Sequence, residues 1–175
     1  MNEQLFLFFY NFAHQWPVLD SVIIFTAEYL GFFPFMGIIF YFLYENKEFN
    51  WRKASYIFFI MLGTGAVAWI IAHLVKDVFQ TLRPFVALPS VEPLFLYDGY
   101  AFPSGHTTFF MAITTVLLFY HKAVGVFLAF FTIIIGIARI MSGVHWPIDI
   151  IGGLLLGLVI GVGMQKIFKI INYKL

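Results

Sequence analysis

The stretch from Ala138 to Asp149 carries an arginine, a histidine and an aspartate between two long apolar runs. Only 11% of the residues are charged, and because charges are costly at membrane depth, the few that are placed beside apolar spans are candidates for function. His145 and Asp149 are four residues apart, and Pro147 is expected near the first position of a helix. Asp149 can then reach back to one imidazole nitrogen of His145, fix its tautomer and leave the other nitrogen free as a nucleophile.

Three cations are predicted to converge at one site. Lys76 and Arg83 are seven residues apart and therefore share one face of a helix, and Arg139 is the third cation. Arginine presents a planar fork that suits phosphate oxygens, and lysine presents a point charge. Ser104 and Gly105 precede a predicted helix whose first N–H groups have no partners within the helix, which makes an anion site. The pattern predicts a pocket for a multiply charged anion, most simply a phosphate.

The histidines of the chain are expected to do different work. His106 follows Ser104 and Gly105 at the mouth of the predicted helix, where it can protonate a departing oxygen. The residues thus include a nucleophile with an orienting carboxylate, a separate acid, and an anion cradle in which Asp149 is the sole opposing charge. This set predicts phosphoryl transfer through a phosphohistidine. The negative charge of the transferring phosphoryl group would be stabilised by protein cations rather than by a metal. The remaining histidines are interpreted as hydrogen-bonded interfacial residues: His14, His73 and His121. A supporting role beside Lys76 is the alternative for His73.

The composition is typical of a membrane protein. Of the 175 residues, 62% are hydrophobic and 21% are aromatic, with a mean hydropathy of +0.91, whereas a soluble domain is usually about half apolar. The expected fold is an all-α integral membrane protein with one domain over residues 1–175, and the N-terminus is interpreted as mature because it lacks a basic leader. The absence of cysteine excludes disulfides and thiolate metal sites, and no basic stripe suggests nucleic acid as a partner.

Apolar length predicts a bundle of about five to six transmembrane helices with an N-terminal interfacial helix. Residues 2–15 are expected to lie in the interface, with a first short span as the alternative; their apolar side is formed by Leu5, Phe8, Phe9 and Phe12. The predicted spans cover residues 18–44, 54–75, 104–120, 123–138 and 147–165. Gly31 and Pro34 should kink or split the first span, and residues 45–53 should form a polar loop.

Some positions within and between these spans carry expectations of their own. The helix that starts at residue 54 should continue to about Leu82, because Pro84 disfavours helical geometry at the residue before it. The loop over residues 84–103 is rich in aromatic side chains and is expected to lie in the membrane interface. Asp20 and Glu28 are expected near a headgroup layer, with a role in the site as the alternative for both.

Two features are expected to order the helices around the site. Ser104 is a favourable N-cap for the helix that follows it. Small residues recur every four positions on one face of the last span, a pattern that lets two membrane helices approach closely: Gly153, Gly157 and Gly161.

The distribution of basic residues predicts which side of the membrane carries the site. If the loop over 45–53 is cytoplasmic, alternating spans place seven basic residues on that side: Lys47, Arg52, Lys53, Lys122, Lys166, Lys169 and Lys174. The opposite side holds three: Lys76, Arg83 and Arg139. Because basic residues are enriched on the cytoplasmic side, the site is expected to face the exterior of the cytoplasmic membrane.

Three motifs occur in order between residues 76 and 149: Lys76, six residues, Arg83-Pro84; Pro103-Ser104-Gly105-His106; and Arg139, five residues, His145, three residues, Asp149. Together they resemble the signature of the type 2 phosphatidic acid phosphatase family of membrane lipid phosphatases. The resemblance implies phosphate binding by Lys76, Arg83, Ser104, Gly105 and Arg139. It also implies that His145 is the nucleophile, that Asp149 orients it and that His106 protonates the leaving group.

The same resemblance implies no metal or other cofactor, and it implies a lipid phosphate or diphosphate as the substrate among the membrane lipids. The family usually has a serine where this chain has Ala138, so one phosphate hydrogen bond is missing or comes from Ser142 or Thr107. Within the family, the chain is most similar to bacterial undecaprenyl-diphosphate phosphatases, on three segments: Leu19-Asp20-Ser21, Glu28-Tyr29 and Arg83-Pro84-Phe85-Val86.

Other functions remain open at this point. Phosphatidylglycerophosphate, phosphatidate and lipid A phosphatases share the same motifs. A transporter for an anionic solute would use the same cations, but it predicts charge near the bilayer midplane and helices that are broken there. A soluble haloperoxidase, which shares this site chemistry, does not fit the membrane composition. The sequence leaves the oligomeric state open.

Overall fold

The structure is a computed structural model that describes residues 2–33, 36 and 51–172. Within these ranges the chain is helical, with no strand. The helices are α1 (Asn2–Tyr10), α2 (Pro17–Glu28), α3 (Trp51–Phe79), α4 (Pro84–Ala87), α5 (Gly105–Tyr120), α6 (Lys122–Met141) and α7 (Pro147–Asn172). Three segments are long and apolar enough to cross a bilayer: Phe58–Ala87, Lys122–Met141 and Pro147–Ile170; α5 is a shorter apolar helix. The prediction of an all-α integral membrane protein is confirmed.

The N-terminal helix is shorter than predicted and packs on the bundle. It ends at Tyr10 rather than continuing to residue 15, and Asn2 Oδ1 accepts a hydrogen bond from the Ile148 N–H at the start of α7 (3.1 Å). Phe6 is fully buried among side chains from the long loop, α6 and α7: Val91, Ile140 and Ile150. Leu5, Phe8 and Phe12 are exposed, as an interfacial helix requires, but Phe9 is half-buried against the same cluster as Phe6. Most of the predicted apolar side therefore faces outward, and the core contact of Phe6 was not predicted.

The predicted split of the first span lies at the end of α2. Pro17 occupies the first turn of α2, where its missing N–H costs nothing, and the helix ends at Glu28. A turn over residues 29–31 follows, and a Cβ on Gly31 would collide with the ring of Phe110 on α5. The rest of the predicted span up to residue 44, and most of the predicted loop over 45–53, lie outside the described residues. The last residues of that predicted loop, 51–53, are helical instead, because α3 already begins at Trp51.

Helix α3 ends slightly earlier than predicted. Its last residue is Phe79, and Gln80 then adopts a positive φ of 46°, which a helix cannot continue. Arg83 is extended (φ −70°, ψ 155°), as expected for the residue before Pro84. The loop that follows contains the short helix α4. Two backbone hydrogen bonds connect this loop to the ends of α3 and α6: the Ala101 N–H donates to Thr81 O (2.8 Å), and the Leu94 N–H donates to Ser142 O (3.0 Å).

Helices α5 and α7 pack closely through glycines. A Cβ on Gly157 would lie 2.5 Å from Thr108 O, and a Cβ on Gly161 would lie 2.5 Å from Thr115 Cβ. Any larger residue would force the helices apart, so the predicted small-residue contact is confirmed. The Ser104 N–H donates to Asp149 O (3.0 Å), which joins the beginning of α5 to the first turn of α7. The second and third motifs meet as a result.

Candidate active site

A cavity of about 310 Å³ lies between the C-terminal parts of α2, α3 and α6, the beginning of α5, the long loop and the segment that precedes α7. Its wall combines charged residues with aromatic ones: Glu28, Phe32, Trp69, His73, Lys76, Arg83, Tyr97, Gly105, His106, Phe109, Phe110, Arg139 and His145. Two of the predicted site residues, Asp149 and Ser104, are not part of the wall but are buried in contact with its elements. The structure therefore brings residues of all three sequence motifs together.

His145 is held in one tautomer. Its Nδ1 lies 3.2 Å from Asp149 Oδ2, and that oxygen also accepts the Trp146 N–H (2.7 Å). On the other side of the ring, Arg83 Nη1 lies 3.4 Å from His145 Nε2. Arginine can only donate, so Nε2 is the acceptor and Nδ1 carries the hydrogen that it donates to Asp149. The nitrogen with the free electron pair is Nε2.

The charge state of His145 follows from its surroundings. Burial, followed by the positive charges of Arg139, Arg83 and Lys76, lowers the pKa of His145 well below its usual range. The imidazole is therefore neutral at physiological pH, which is the form that can attack an electrophile.

The guanidinium of Arg139 is fully buried and only partly bonded. Its Nη1 donates to Ala27 O (3.1 Å) and to Glu28 Oε1 (2.8 Å). Its Nε and Nη2 have no hydrogen-bond partner in the part of the chain that the structure describes. The rings of Phe95 and Tyr97 lie near the guanidinium, with Cζ 5.8 Å and 4.7 Å from their centroids. The free Nε–Nη2 edge can donate two parallel hydrogen bonds to a phosphate.

Glu28 belongs to the cavity, which the sequence analysis held only as the alternative to a place near a headgroup layer. It lines the cavity wall and pairs with Arg139, and Asp149 is therefore not the sole opposing charge. The available signal was its rarity, because it is one of two acidic residues in a long apolar segment. Asp20, the other one, lies away from the cavity and accepts the His14 N–H (2.8 Å).

Arg83 and Lys76 are bonded mainly to main-chain carbonyls. Arg83 donates from Nε to Gly99 O (2.9 Å), from Nη1 to Val144 O (2.9 Å), and from Nη2 to Asp98 O and Tyr100 O (both 3.2 Å). Lys76 Nζ donates to Tyr100 O (2.7 Å) and Ala101 O (3.0 Å). These two cations thus hold residues 98–101 of the long loop against the cavity.

The long loop contributes Tyr97 to the cavity, which the prediction of an interfacial loop did not include. The Tyr97 ring lies against both arginines, with its centroid 4.8 Å from Arg83 Cζ and 4.7 Å from Arg139 Cζ. The same ring meets His106 edge-on, at a centroid distance of 6.2 Å. Tyr97 therefore contacts three of the predicted site residues.

Ser104 occupies the N-cap position of α5 but does not cap the helix with its side chain. Its backbone is extended (φ −67°, ψ 117°), and its Oγ is buried with no hydrogen-bond partner among the described residues. The predicted N-cap position of Ser104 is confirmed, but the capping hydrogen bond is not made. The first N–H groups of α5 are consequently left for a ligand, as an anion site requires. Gly105 and His106, the first two residues of α5, line the cavity.

This chain has Ala138 where the family usually has a serine, and neither of the hydroxyls suggested as replacements, Ser142 and Thr107, lines the cavity. Ser142 Oγ donates to Arg139 O (3.1 Å), and Thr107 Oγ1 donates to Ser104 O (3.1 Å). Both are bound to main-chain carbonyls, so neither replaces the family's serine in this structure.

Two of the histidines outside the motifs bind main-chain carbonyls. His73 lines the cavity, with its Nδ1 2.8 Å from Trp69 O, and His14 Nε2 lies 2.9 Å from Glu92 O.

The chemistry that this arrangement supports is transfer of a phosphoryl group. A neutral imidazole with a free Nε2, a fork of unpaired arginine donors and an uncapped helix N-terminus share one cavity. In residues 2–33, 36 and 51–172 there is no group of three or more His, Cys, Asp or Glu side chains placed to hold a metal. The charge-stabilising groups present are cations and N–H donors.

Comparison with known proteins agrees with this chemistry. The PAP2 superfamily profile matches residues 54–172. Undecaprenyl-diphosphatase BcrC of Bacillus subtilis is 31% identical over 162 residues, covering 92% of this chain and 81% of that protein. Bacitracin transport permease protein BcrC of Bacillus licheniformis is 29% identical, covering 90% of this chain and 75% of that protein.

A solved structure shares the fold. Aquifex aeolicus LpxE superposes with a TM-score of 0.69 at 28% identity, over 94% of each chain. The family resemblance of the sequence motifs is confirmed, as is the expectation of an enzyme that hydrolyses phosphate esters. The chain belongs to the PAP2 superfamily and is a membrane lipid phosphatase.

Proposed function

We propose that this phosphatase hydrolyses undecaprenyl diphosphate to undecaprenyl phosphate and inorganic phosphate at the outer face of the cytoplasmic membrane. The observation that carries the mechanism is the pairing of His145 with Asp149 at a cavity that Arg139, with its unpaired Nε and Nη2, also lines. The observation that favours this lipid is the 31% identity with an undecaprenyl-diphosphatase over most of both chains.

The reaction proceeds in two displacements. His145 Nε2 attacks the terminal phosphorus, the Nε2–P bond forms, and the bond from phosphorus to the bridging oxygen breaks. His106 donates a proton to that oxygen, and undecaprenyl phosphate leaves. Water then attacks the phosphohistidine while His106 accepts its proton, the N–P bond breaks, and inorganic phosphate leaves. Asp149 stabilises the positive charge that His145 gains in the first displacement and loses in the second.

The phosphate is held by a cradle of five residues: Lys76, Arg83, Ser104, Gly105 and Arg139. Arg139 supplies the bidentate contact through its Nε and Nη2, and Ser104 Oγ and the Gly105 N–H supply hydrogen bonds at the start of α5. Lys76 and Arg83 act through their charge, because most of their donors are bound to carbonyls of residues 98–101 and 144. Arg83 Nη1, 3.4 Å from His145 Nε2, is the donor nearest to the attacking atom.

The lipid tail is accommodated by the aromatic side of the same cavity. That side consists of Phe32 after α2, Trp69 on α3, and Phe109 and Phe110 on α5. Trp69 precedes Lys76 by about two helical turns, or roughly 10 Å along α3. The head group thus lies at the helix ends while the first isoprenoid units extend along the bundle toward the apolar region.

Sidedness is supported by the basic residues at the two ends of the bundle. Arg52, Lys122, Lys166 and Lys169 belong to helix ends opposite the site, which favours that end as cytoplasmic. Single cysteines placed at Ser90 and Asn46 of this cysteine-free chain test it with a membrane-impermeant thiol reagent on intact cells. Labelling at Ser90 but not Asn46 supports an outward site, and the reverse pattern would overturn the assignment of undecaprenyl diphosphate.

The alternative substrates are phosphatidylglycerophosphate, phosphatidate and lipid A phosphates, for which the similarity to LpxE is the relevant observation. Purified protein in detergent should release phosphate fastest from undecaprenyl diphosphate in a panel of these lipids. A higher kcat/KM for another lipid would replace the proposed substrate. A non-enzymatic anion transporter would release no phosphate. Such a transporter also predicts broken helices with charge near the bilayer midplane, whereas in this protein the helices that carry Lys76 and Arg139 are continuous and both cations lie near helix ends.

Metal dependence is a second test of the mechanism. The same activity should survive EDTA, because cations and N–H donors already surround the phosphate. Vanadate should inhibit, since it can adopt the five-coordinate geometry of the transferring phosphorus and bind His145. Complete loss of activity on chelation, with recovery on addition of a divalent ion, would rule out the metal-free route.

A further inference from the structure

Glu28 and Arg139 form an ion pair between helices that are distant in sequence. Arg139 Nη1 lies 2.8 Å from Glu28 Oε1, and the two residues are 111 positions apart. The arginine side chain is fully buried, while that of Glu28 is 27% exposed and lines the cavity. This pair connects the end of α2 to the anion site, and none of the three sequence motifs includes Glu28.

The geometry of the pair determines which part of Arg139 is free. A guanidinium has five N–H donors, two on each Nη and one on Nε. Glu28 and Ala27 O accept from Nη1, so both of its hydrogens are used. The remaining donors lie on Nε and Nη2, which form one straight edge that matches two oxygens of a phosphate. Without Glu28, the guanidinium could rotate about its last side-chain bonds and lose this alignment.

The charge of Glu28 has a second consequence. A phosphate bound at the free edge shares Arg139 with the Glu28 carboxylate, and both anions face the same cavity. Two anions at one guanidinium repel each other, so Glu28 weakens the binding of any phosphate there. Weaker binding acts on substrate and inorganic phosphate alike, and it favours release of the product.

We propose that Glu28 is a positioning residue that aligns Arg139 for a bidentate phosphate contact, and that its charge limits how tightly the site retains inorganic phosphate. The inference rests on the proposed function in treating the cavity as a phosphate site, but it does not depend on which lipid is hydrolysed. It assigns to α2 a part in catalysis that the sequence motifs leave to α3, α5, α6 and α7.

Two substitutions separate orientation from charge. Glu28→Gln keeps an oxygen that can accept from Nη1 but removes the charge, whereas Glu28→Ala removes both. The matched control is Asp77→Asn, which removes an exposed carboxylate next to Lys76 without changing any contact of Arg139. Binding of inorganic phosphate to each purified protein is measured by titration calorimetry in detergent. kcat and KM are measured in parallel on the best lipid phosphate, and gel filtration checks that each variant is folded.

The proposal expects phosphate to bind Glu28→Gln roughly three- to tenfold more tightly than the wild type, with a lower KM. Glu28→Ala should bind phosphate about tenfold more weakly and lose kcat/KM by a larger factor. Asp77→Asn should match the wild type, because solvent screens its charge. Unchanged or weaker binding by Glu28→Gln would overturn the charge effect, and wild-type behaviour of folded Glu28→Ala would overturn the positioning role.

The phosphate titration also distinguishes this inference from the proposed function. If the protein prefers a lipid other than undecaprenyl diphosphate, the differences in phosphate affinity should persist, and only the substrate assignment fails. If undecaprenyl diphosphate is the substrate but the three affinities are equal, the inference about Glu28 fails alone.

Discussion

The two arginines of the cavity are almost equally buried, yet they are bonded in opposite ways. Arg83 is 2% exposed and gives its donors to four main-chain carbonyls, mostly in the loop that covers the site. Arg139 is 0% exposed and leaves two of its three nitrogens without a partner in the described chain. Both come from motifs that the sequence reasoning interpreted as phosphate binding.

The difference shows that residue type alone does not decide which cation takes the ligand. Hydrogen bonds from a charged donor contribute about 1.5–3 kcal/mol each, so the bonds of Arg83 stabilise the loop. A buried donor without a partner costs about 1–3 kcal/mol, and a bound phosphate would offset that cost at Arg139. We therefore distinguish the loop side of the cavity, formed by Lys76, Arg83 and residues 97–101, from the helix side, formed by Glu28, Arg139, His145 and Asp149.

The largest effect is expected on the helix side, at the nucleophile. His145→Ala should reduce turnover by about 10⁴-fold or more and abolish the labelled phosphoenzyme, because no other group supplies an attacking nitrogen. The measurement is rapid-quench trapping with a substrate labelled in its terminal phosphate. His121→Ala, at the opposite end of the bundle, is the control and should retain activity. A phosphoenzyme that persists in His145→Ala would place the nucleophile elsewhere.

The next effect concerns His106, which lies between the two sides against Tyr97. His106→Ala should slow hydrolysis of an alkyl phosphate by about 10²–10⁴-fold, because the leaving alkoxide loses its proton donor. A nitrophenyl phosphate should be affected much less, since its leaving group is already a weak base. Comparing kcat for the two substrates checks this prediction. Equal losses would mean that His106 is not the acid.

Replacing each arginine by lysine tests the difference between the helix side and the loop side of the cavity. Arg139→Lys should lower kcat/KM by about 10²-fold, because a lysine cannot make the bidentate contact, and thermal stability should change little. Arg83→Lys should instead lower the thermal midpoint by about 5 °C, since one ammonium cannot reach all four carbonyls. Activity assays and unfolding in detergent measure both. Identical profiles for the two variants would remove the distinction between the sides.

The sequence predicted the local contacts of the site better than the contacts between distant segments, and the reason is physical. His145 and Asp149 are four residues apart at the start of a helix, so local geometry nearly determines their hydrogen bond. The Arg139–Glu28 pair joins positions 111 residues apart, and no periodicity along either helix indicates such a contact. The position of Tyr97 depends on an irregular loop, whose path is set by carbonyl contacts with Lys76 and Arg83.

The sequence likewise predicted some features of the fold and missed others. Apolar length and Pro84 predicted α3 and its end within three residues. Glycine spacing predicted that α7 approaches another helix closely, and the structure shows that this helix is α5. The inward contact of Phe6 was missed, because the exposed side of α1 is as apolar as a buried one would be. In a membrane protein the hydrophobic pattern therefore indicates the helix but not the face that packs.

The smallest effect is expected at Tyr97, whose ring contacts both arginines. Tyr97→Leu should lower kcat/KM by roughly 3- to 10-fold, because a cation–π contact is worth about 0.5–2 kcal/mol and the ring shields both guanidinium groups from water. Tyr97→Phe keeps the ring and should stay within about twofold of the wild type. If the ring acts through Arg139, the loss in Tyr97→Leu should disappear in the Arg139→Lys background; if it acts through Arg83, the loss should disappear in the Arg83→Lys background. The double-mutant cycles on kcat/KM therefore show which side of the cavity the loop supports, and equal losses in every background would show that Tyr97 acts on neither arginine.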